Sequence, residues 1–371
     1  MKKLGFLFVT ASLTLFLLVS GKYRDENPYG FELGTPEILS VTSLTFGPEG
    51  ILFIGDSKGA SIFAVDTKDK IPVAKSQSVQ LKNIDQTFAA YLGTEARNIS
   101  IKDLAVNPVS KKIYCAVQAM DGTPALLTID GDKIQAVNLK EIMFSVAAIE
   151  NAPAADAKNQ RGRPMREMSI SDLLYADNSI MVSGISNQEF GSTFRKIPFP
   201  FSGKQDHSSL EIYHAAHGKY ETASPIQTFT VATIGGKKYL VASYTCTPLV
   251  LFPMDQLQPG KHVKGRTIGE FGAGNNPIDM ISFKAGDESY LVMANSSRPI
   301  MRVKYSKIEN YAGSLTEPIK ESYGTAGVEF VNLPVVNVLQ MDKLDDANIL
   351  VLQRRANGDL DLYSAPSERW F

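Results

Sequence analysis

The feature that most constrains this 371-residue chain is a pattern that returns six times. Each copy holds a short apolar strand, a turn rich in Gly, Asn or Asp, a second strand of almost unbroken apolar residues, a short loop and a third strand. The first copy reads Ser43-Leu-Thr-Phe46, Gly47-Pro-Glu-Gly50, Ile51-Leu-Phe-Ile-Gly-Asp56 and Ala60-Ser-Ile-Phe-Ala-Val-Asp66. The second strands open at Ile51, Ile113, Ile180, Tyr239, Tyr290 and Ile349, at intervals of 62, 67, 59, 51 and 59 residues. A unit this small cannot bury its own apolar faces, so it must stack against copies of itself. A second strand that is apolar at every position is covered on both faces. Short strands, tight turns and this period together predict an all-β chain folded as a six-bladed β-propeller. Seven blades is the alternative, with a degenerate blade in residues 304–335.

Finer expectations follow from the remainders between copies. Ile71-Pro-Val-Ala74 and Leu210-Glu-Ile-Tyr213 suit outer, fourth strands. The segment from Gly30 to Leu39 is expected to supply the outer strand of the last blade, which would join the two ends of the ring and remove an exposed edge. Asp85 to Thr94 has apolar residues at helical spacing. Residues 151–167 read as a polar loop containing Pro and Gly. No Pro/Ser linker divides the chain, so residues 22–371 are expected to form one domain.

Ahead of the repeats, Met1-Lys2-Lys3 is followed by an uncharged apolar run from Leu4 to Val19, then by Ser20-Gly21 and the polar Lys22-Tyr-Arg-Asp-Glu-Asn27. This layout predicts a secretory signal peptide over residues 1–21, cleaved near Gly21. The alternative is a retained anchor, for which the run falls short of the ~20 residues of a comfortable span. No Cys follows the run to carry a lipid. The mature chain is therefore expected to be exported, to the periplasm or beyond, without a membrane span. The charges balance, 38 Lys+Arg against 39 Asp+Glu. That argues against nucleic acid as a partner, which calls for a basic surface. The only cysteines are Cys115 and Cys246. The first falls in the second strand of blade two and the second in a loop of blade four, which argues against a bond between them.

Some blades resemble known ones. Asn276-Pro-Ile-Asp-Met-Ile-Ser-Phe283 followed by Tyr290-Leu-Val-Met-Ala-Asn295 resembles an NHL-style blade. Gly50-Ile-Leu-Phe-Ile-Gly-Asp-Ser-Lys-Gly-Ala-Ser-Ile-Phe-Ala-Val-Asp66 resembles a YVTN or quinoprotein-type blade. The chain is thus similar in architecture to exported bacterial propellers of the broad NHL, YVTN and regucalcin/gluconolactonase-like kind. Ile197-Pro-Phe-Pro-Phe201 and Tyr244-Thr-Cys-Thr-Pro-Leu249 resemble segments of exported propellers that carry no known activity. Propellers host hydrolases, lyases, redox enzymes and pure binding modules, so the fold does not choose among them.

Three constellations are candidates for function. Asp103, Asp172 and Asp279 stand near the starts of inner strands, at one mouth of the channel. Hard oxygen donors converging on an axis suit Ca²⁺ or another divalent ion, and the resemblance implies a catalytic divalent ion in such a place in regucalcin-like propellers. The competing reading is that each Asp accepts backbone N–H bonds at a turn. The second group is His214, His217 and Cys246, with Tyr220 and Glu221 beside them, which suits a soft metal ion or a redox site. The third is cationic: Arg163, Arg166, Arg298 and Arg354, with Arg161 and Arg355 close by, placed in loops of the same face as Glu189. Arg forks recognise carboxylate or phosphate, but these could equally pair with the neighbouring acids. No serine-hydrolase elbow, zinc-protease helix, P-loop or haem-attachment motif is present. The function expected is therefore binding of a small molecule or partner protein through that top face. The alternative is a metal-dependent enzyme, either lactonase/hydrolase-like over the aspartates or redox-active through His and Cys.

Overall fold

Each apolar second strand lies at the centre of its own antiparallel sheet. The computed structural model describes residues 27–370, so the expected leader lies outside the described residues. Numbered by chain order, the blades are built on the second strands Ile51–Asp56, Ile113–Ala119, Ser179–Ile185, Lys237–Ser243, Glu288–Asn295 and Asn348–Arg354. Those of blades one and three are buried at every position. That is the physical reason their sequences lack the polar alternation of a half-solvated strand.

Six apolar clusters fill six interfaces between neighbouring blades. One cluster joins Leu44, Leu52 and Ile54 of blade one to Ala105, Tyr114 and Ala116 of blade two. Others join blades two and six, six and five, five and four, four and three, and three and one. The inner strands touch in the same circular order. The chain is a closed six-bladed β-propeller, and the ring runs one, two, six, five, four, three. Blade two does not precede blade three in space.

Two strand exchanges produce this order. The fourth strand of blade one is Ile142–Ala148, which the chain adds only after it has completed blade two. The fourth strand of blade six is Gln80–Leu81, contributed by the segment that leaves blade one. The N-terminal segment does not close the last blade, contrary to expectation. Glu32–Gly34 pairs instead with Ile142–Ala148 as a fifth strand of blade one. Ile71–Ala74 forms no strand, whereas Leu210–Tyr213 falls inside the fourth strand of blade three, Asp206–His214. Residues 304–335 make no seventh blade. They hold a helix, Tyr305–Asn310, and two short strands that join blades four and five. The helical spacing near Asp85 becomes the helix Ile84–Tyr91, whose Ile84 and Phe88 pack between blades two and six. Both cysteines are free thiols, in blades that stand opposite each other in the ring.

Candidate functional site

The inner strands wall an axial cavity of about 470 Å³. Asp345 and Asp346 lie at its mouth, and four aspartates of the inner strands line it: Asp103, Asp172, Asp279 and Asp342. Each sits half-buried in the channel wall and reaches sideways to the next blade. Asp103 accepts from the Leu44 N–H at 2.6 Å, Asp172 from Phe229 at 3.0 Å, Asp279 from Met341 at 2.6 Å and Asp342 from Val106 at 2.7 Å. The second oxygen of each carboxyl accepts the N–H of its own following residue, at 2.6–2.8 Å. The carboxyls therefore stitch blade two to one, three to four, five to six and six to two.

Stitching does not settle their charge. Among the described residues none of the four forms an ion pair. Burial pushes Asp279 up to about 8, against the pull of the Met341 N–H and with the Asp172 charge adding to the rise. Asp172 and Asp342 are pushed up to about 6, again chiefly by burial. Asp103 is held well above the usual carboxylate range by burial and by the charges of Asp279 and Asp172. A wall of like charges in a poorly solvated channel keeps protons that water would strip away.

The cavity extends from these carboxyls toward the ends of the first strands, past Val106, Pro108 and Leu344. That is the end carrying the loops between first and second strands, the face opposite the Arg loops. Lys111 and Lys343 stand at this mouth, the first donating to the Pro108 carbonyl at 2.8 Å and the second paired with Asp346 at 2.6 Å.

The arginines do not converge on a ligand. Arg166 spends its whole fork on backbone, donating to the carbonyls of Lys58, Pro153 and Gly59 at 2.9–3.1 Å. Arg298 donates to the Tyr323 carbonyl at 2.7 Å and Arg354 to Gly358 at 3.1 Å. Arg163 and Glu189 are exposed, on separate loops. Tyr220 is half-exposed beneath the Lys264 ammonium, 3.8 Å from its ring centre.

His214, His217 and Cys246 do come together at the rim between blades three and four. Their donor atoms all lie within 4.8 Å of one another, the one such set of three His, Cys, Asp or Glu side chains among the described residues. Asp103, Asp172 and Asp279 are not such a set. Glu221, from the short strand Lys219–Glu221 paired with the end of Asp206–His214, accepts from both imidazoles, at 3.0 Å from His214 Nδ1 and 2.7 Å from His217 Nδ1. The two imidazoles hold Glu221 down at about 2, and the Glu221 and Glu270 carboxylates raise His214 to about 9 against the effect of its burial. Cys246 and Thr247 both take left-handed backbone, at φ 68° and 62°. This is a costly conformation for non-glycine residues and for β-branched Thr above all. Thr247 holds the loop in place by donating its hydroxyl to the Gly272 carbonyl at 3.2 Å.

Two residues escaped the sequence reading. Asp342 lies four residues past Val338, where the repeat pattern starts blade six, and a register shift between Val338 and Gln340 brings it into the channel wall. Glu270 is fully buried in the strand Arg266–Glu270, and its signal was a lone carboxylate inside an apolar run.

No family model and no curated protein matches the chain. Similar solved structures include a bifunctional GH43-CE protein of Bacteroides eggerthii, at 11% identity over 78% of this chain and 34% of that one, with a TM-score of 0.39. A putative oxidoreductase (glucose dehydrogenase) of Thermus thermophilus shares 11% identity over 90% and 99% of the two chains, at a TM-score of 0.32. PorZ, a surface component of the type-IX secretion system of Porphyromonas gingivalis, shares 10% identity over 91% and 38%, at 0.37. This chain spans about a third of the length of the GH43-CE protein. The fold assignment rests on the six sheets and six interfaces described above.

Proposed function

We propose that this chain is an exported β-propeller that works as a binding module, holding a small cationic ligand in its axial channel. The observation that carries the reading is the ring of Asp103, Asp172, Asp279 and Asp342 around a cavity of about 470 Å³ with no cation paired to any of them among the described residues. A large concave site lined by titratable groups with displaced pKa values is where a ligand is first sought. The channel is preferred to the Arg-bearing face as the binding surface, because the guanidinium groups of Arg166, Arg298 and Arg354 are committed to backbone carbonyls. The leader pattern over residues 1–21 supports export, and no helix among the described residues is long and apolar enough to cross a membrane.

The chemistry of uptake follows from the protons. Asp279, at about 8, is mostly neutral near pH 7, and burial raises Asp103 beside it. A cation entering the ring favours their ionised forms, so binding releases protons and tightens as pH rises toward 8. Spermidine is a suitable probe, since its amines are compact hydrogen-bond donors. Saturable binding is expected, tighter at about pH 8 than at about pH 6. Asp279→Asn should weaken it roughly tenfold, the effect of one lost charge contact of ~1.4 kcal/mol, and Arg166→Ala should leave it unchanged. Absence of saturable binding by spermidine and by a simple monoamine at both pH values would overturn the reading.

A further inference from the structure

The rim between blades three and four lies away from the channel, and it carries a second kind of chemistry. We propose that His214, His217 and Cys246 form a binding site for a borderline-to-soft transition-metal ion, Zn²⁺ in the first instance, with Glu221 as the carboxylate that orients both imidazoles.

The donor atoms of the three residues already lie within 4.8 Å of one another. A tetrahedral zinc ion with bonds of ~2.0–2.3 Å separates its donors by roughly 3.3–3.8 Å, so closing the set takes side-chain rotations of about an ångström. Second, Glu221 receives Nδ1 of both rings, at 3.0 and 2.7 Å. A ring that donates its Nδ1–H to a carboxylate keeps Nε2 for a metal, which displaces the Nε2 proton on binding, the arrangement by which proteins hold metal-ligating histidines.

Third, two polar atoms here are orphaned. His214 is 1% exposed and Glu270 is 0% exposed, yet His214 Nε2 and Glu270 Oε1 have no hydrogen-bond partner. They face each other at 3.6 Å. The contact is an ion pair too long for a hydrogen bond, and a metal ion that displaces the Nε2 proton would satisfy both atoms. Fourth, the site is reachable: His217 is exposed and Cys246 half-buried, so an ion can enter from solvent and meet the buried ring behind them. Two imidazoles and a thiol select zinc or copper over calcium or magnesium, which take oxygen donors.

The test uses the mature chain, stripped of metal, titrated with Zn²⁺ and separately with Co²⁺ as a spectroscopic probe. One ion per chain is expected, with Co²⁺ giving the visible bands of a tetrahedral site and a near-ultraviolet thiolate-to-metal band. Cys246→Ser should remove that thiolate band. His217→Ala should weaken Zn²⁺ binding by at least about tenfold, and Glu221→Gln by about 10–100-fold with the thiolate band retained, as for other residues that orient ligands. Cys115→Ser, in the core of blade two, should change nothing. Should the Cys246 or Glu221 variant fail to fold, alkylation of Cys246 in the wild-type chain decides, since Zn²⁺ should slow it at least about tenfold. A stoichiometry near zero, a thiolate band that survives Cys246→Ser, or alkylation indifferent to Zn²⁺ would overturn the proposal. The channel reading would survive any of these results, because Asp279→Asn and spermidine do not touch this site.

Discussion

Replacing Asp279 by Asn asks whether the channel carboxyls are buried acids or anions held by backbone N–H groups. In the folded chain Asp279 keeps its proton up to about 8, whereas in the unfolded chain it loses it near the ordinary carboxylate value of 3.8. Between those limits the folded state holds a proton the unfolded state has given up, so this group makes stability fall as pH rises. The window runs from about pH 4 to about pH 8, with a slope of at most ~1.4 kcal/mol per pH unit. Asp279 is only half-buried, so screening takes part of this, and about 2 kcal/mol is expected across the window. Asn keeps the oxygen that can accept from Met341 or Met280 but has no proton to lose. The variant should therefore gain on the wild type by about 2 kcal/mol between about pH 5 and about pH 9, which for a chain of this size is roughly 3 °C in melting temperature. Paired urea melts of both proteins across that range provide the assay. A pH-independent difference would refute the reasoning. So would a variant that loses ground at high pH, since that would mean the ionised Asp279 stabilises the fold.

Three further outcomes follow. Asp172→Ala strips acceptors from the Phe229 and Leu173 N–H groups where blade three meets blade four, and should cost about 2–4 kcal/mol in denaturant unfolding. Gly184→Ala would set a Cβ 2.1 Å from the Ser169 carbonyl oxygen, a clash that should lower stability by more than about 3 kcal/mol or abolish soluble expression. In the native chain a thiol reagent should titrate Cys246 and not Cys115, whose thiol burial pushes far up. Two thiols reacting at equal rates without denaturant would contradict the buried placement of Cys115.

The blades were legible because stacking leaves its mark on every second strand. Ile51–Asp56 and Ser179–Ile185 are buried on both faces, so their sequences could not alternate. The ring order was not legible. It depends on where Gln80–Leu81 and Ile142–Ala148 attach, and short outer strands with partly exposed side chains carry little apolar pattern to say so. The aspartates were legible as a group, but their stitching bonds run to backbone N–H groups of other blades, which no residue type announces. Asp342 was hidden because the repeat pattern opens its strand at apolar Val338, four residues earlier. The arginines misled for a similar reason: the partners that occupy Arg166 are carbonyls of Lys58, Pro153 and Gly59, and any residue could have supplied them. His214, His217 and Cys246 were legible as a set because the strand ending at His214 and the loop holding Cys246 emerge on one face of neighbouring blades.

The proton inventory of ligand uptake tests the central claim most directly. Spermidine binding measured by calorimetry near pH 7, in two buffers of different ionisation enthalpy, reads how many protons leave the channel. Release of about one proton or more per ligand is expected, and a smaller release from Asp279→Asn. Heats that do not depend on the buffer, or binding that Asp279→Asn leaves unaltered, would contradict a channel whose neutral carboxyls ionise to receive a cation.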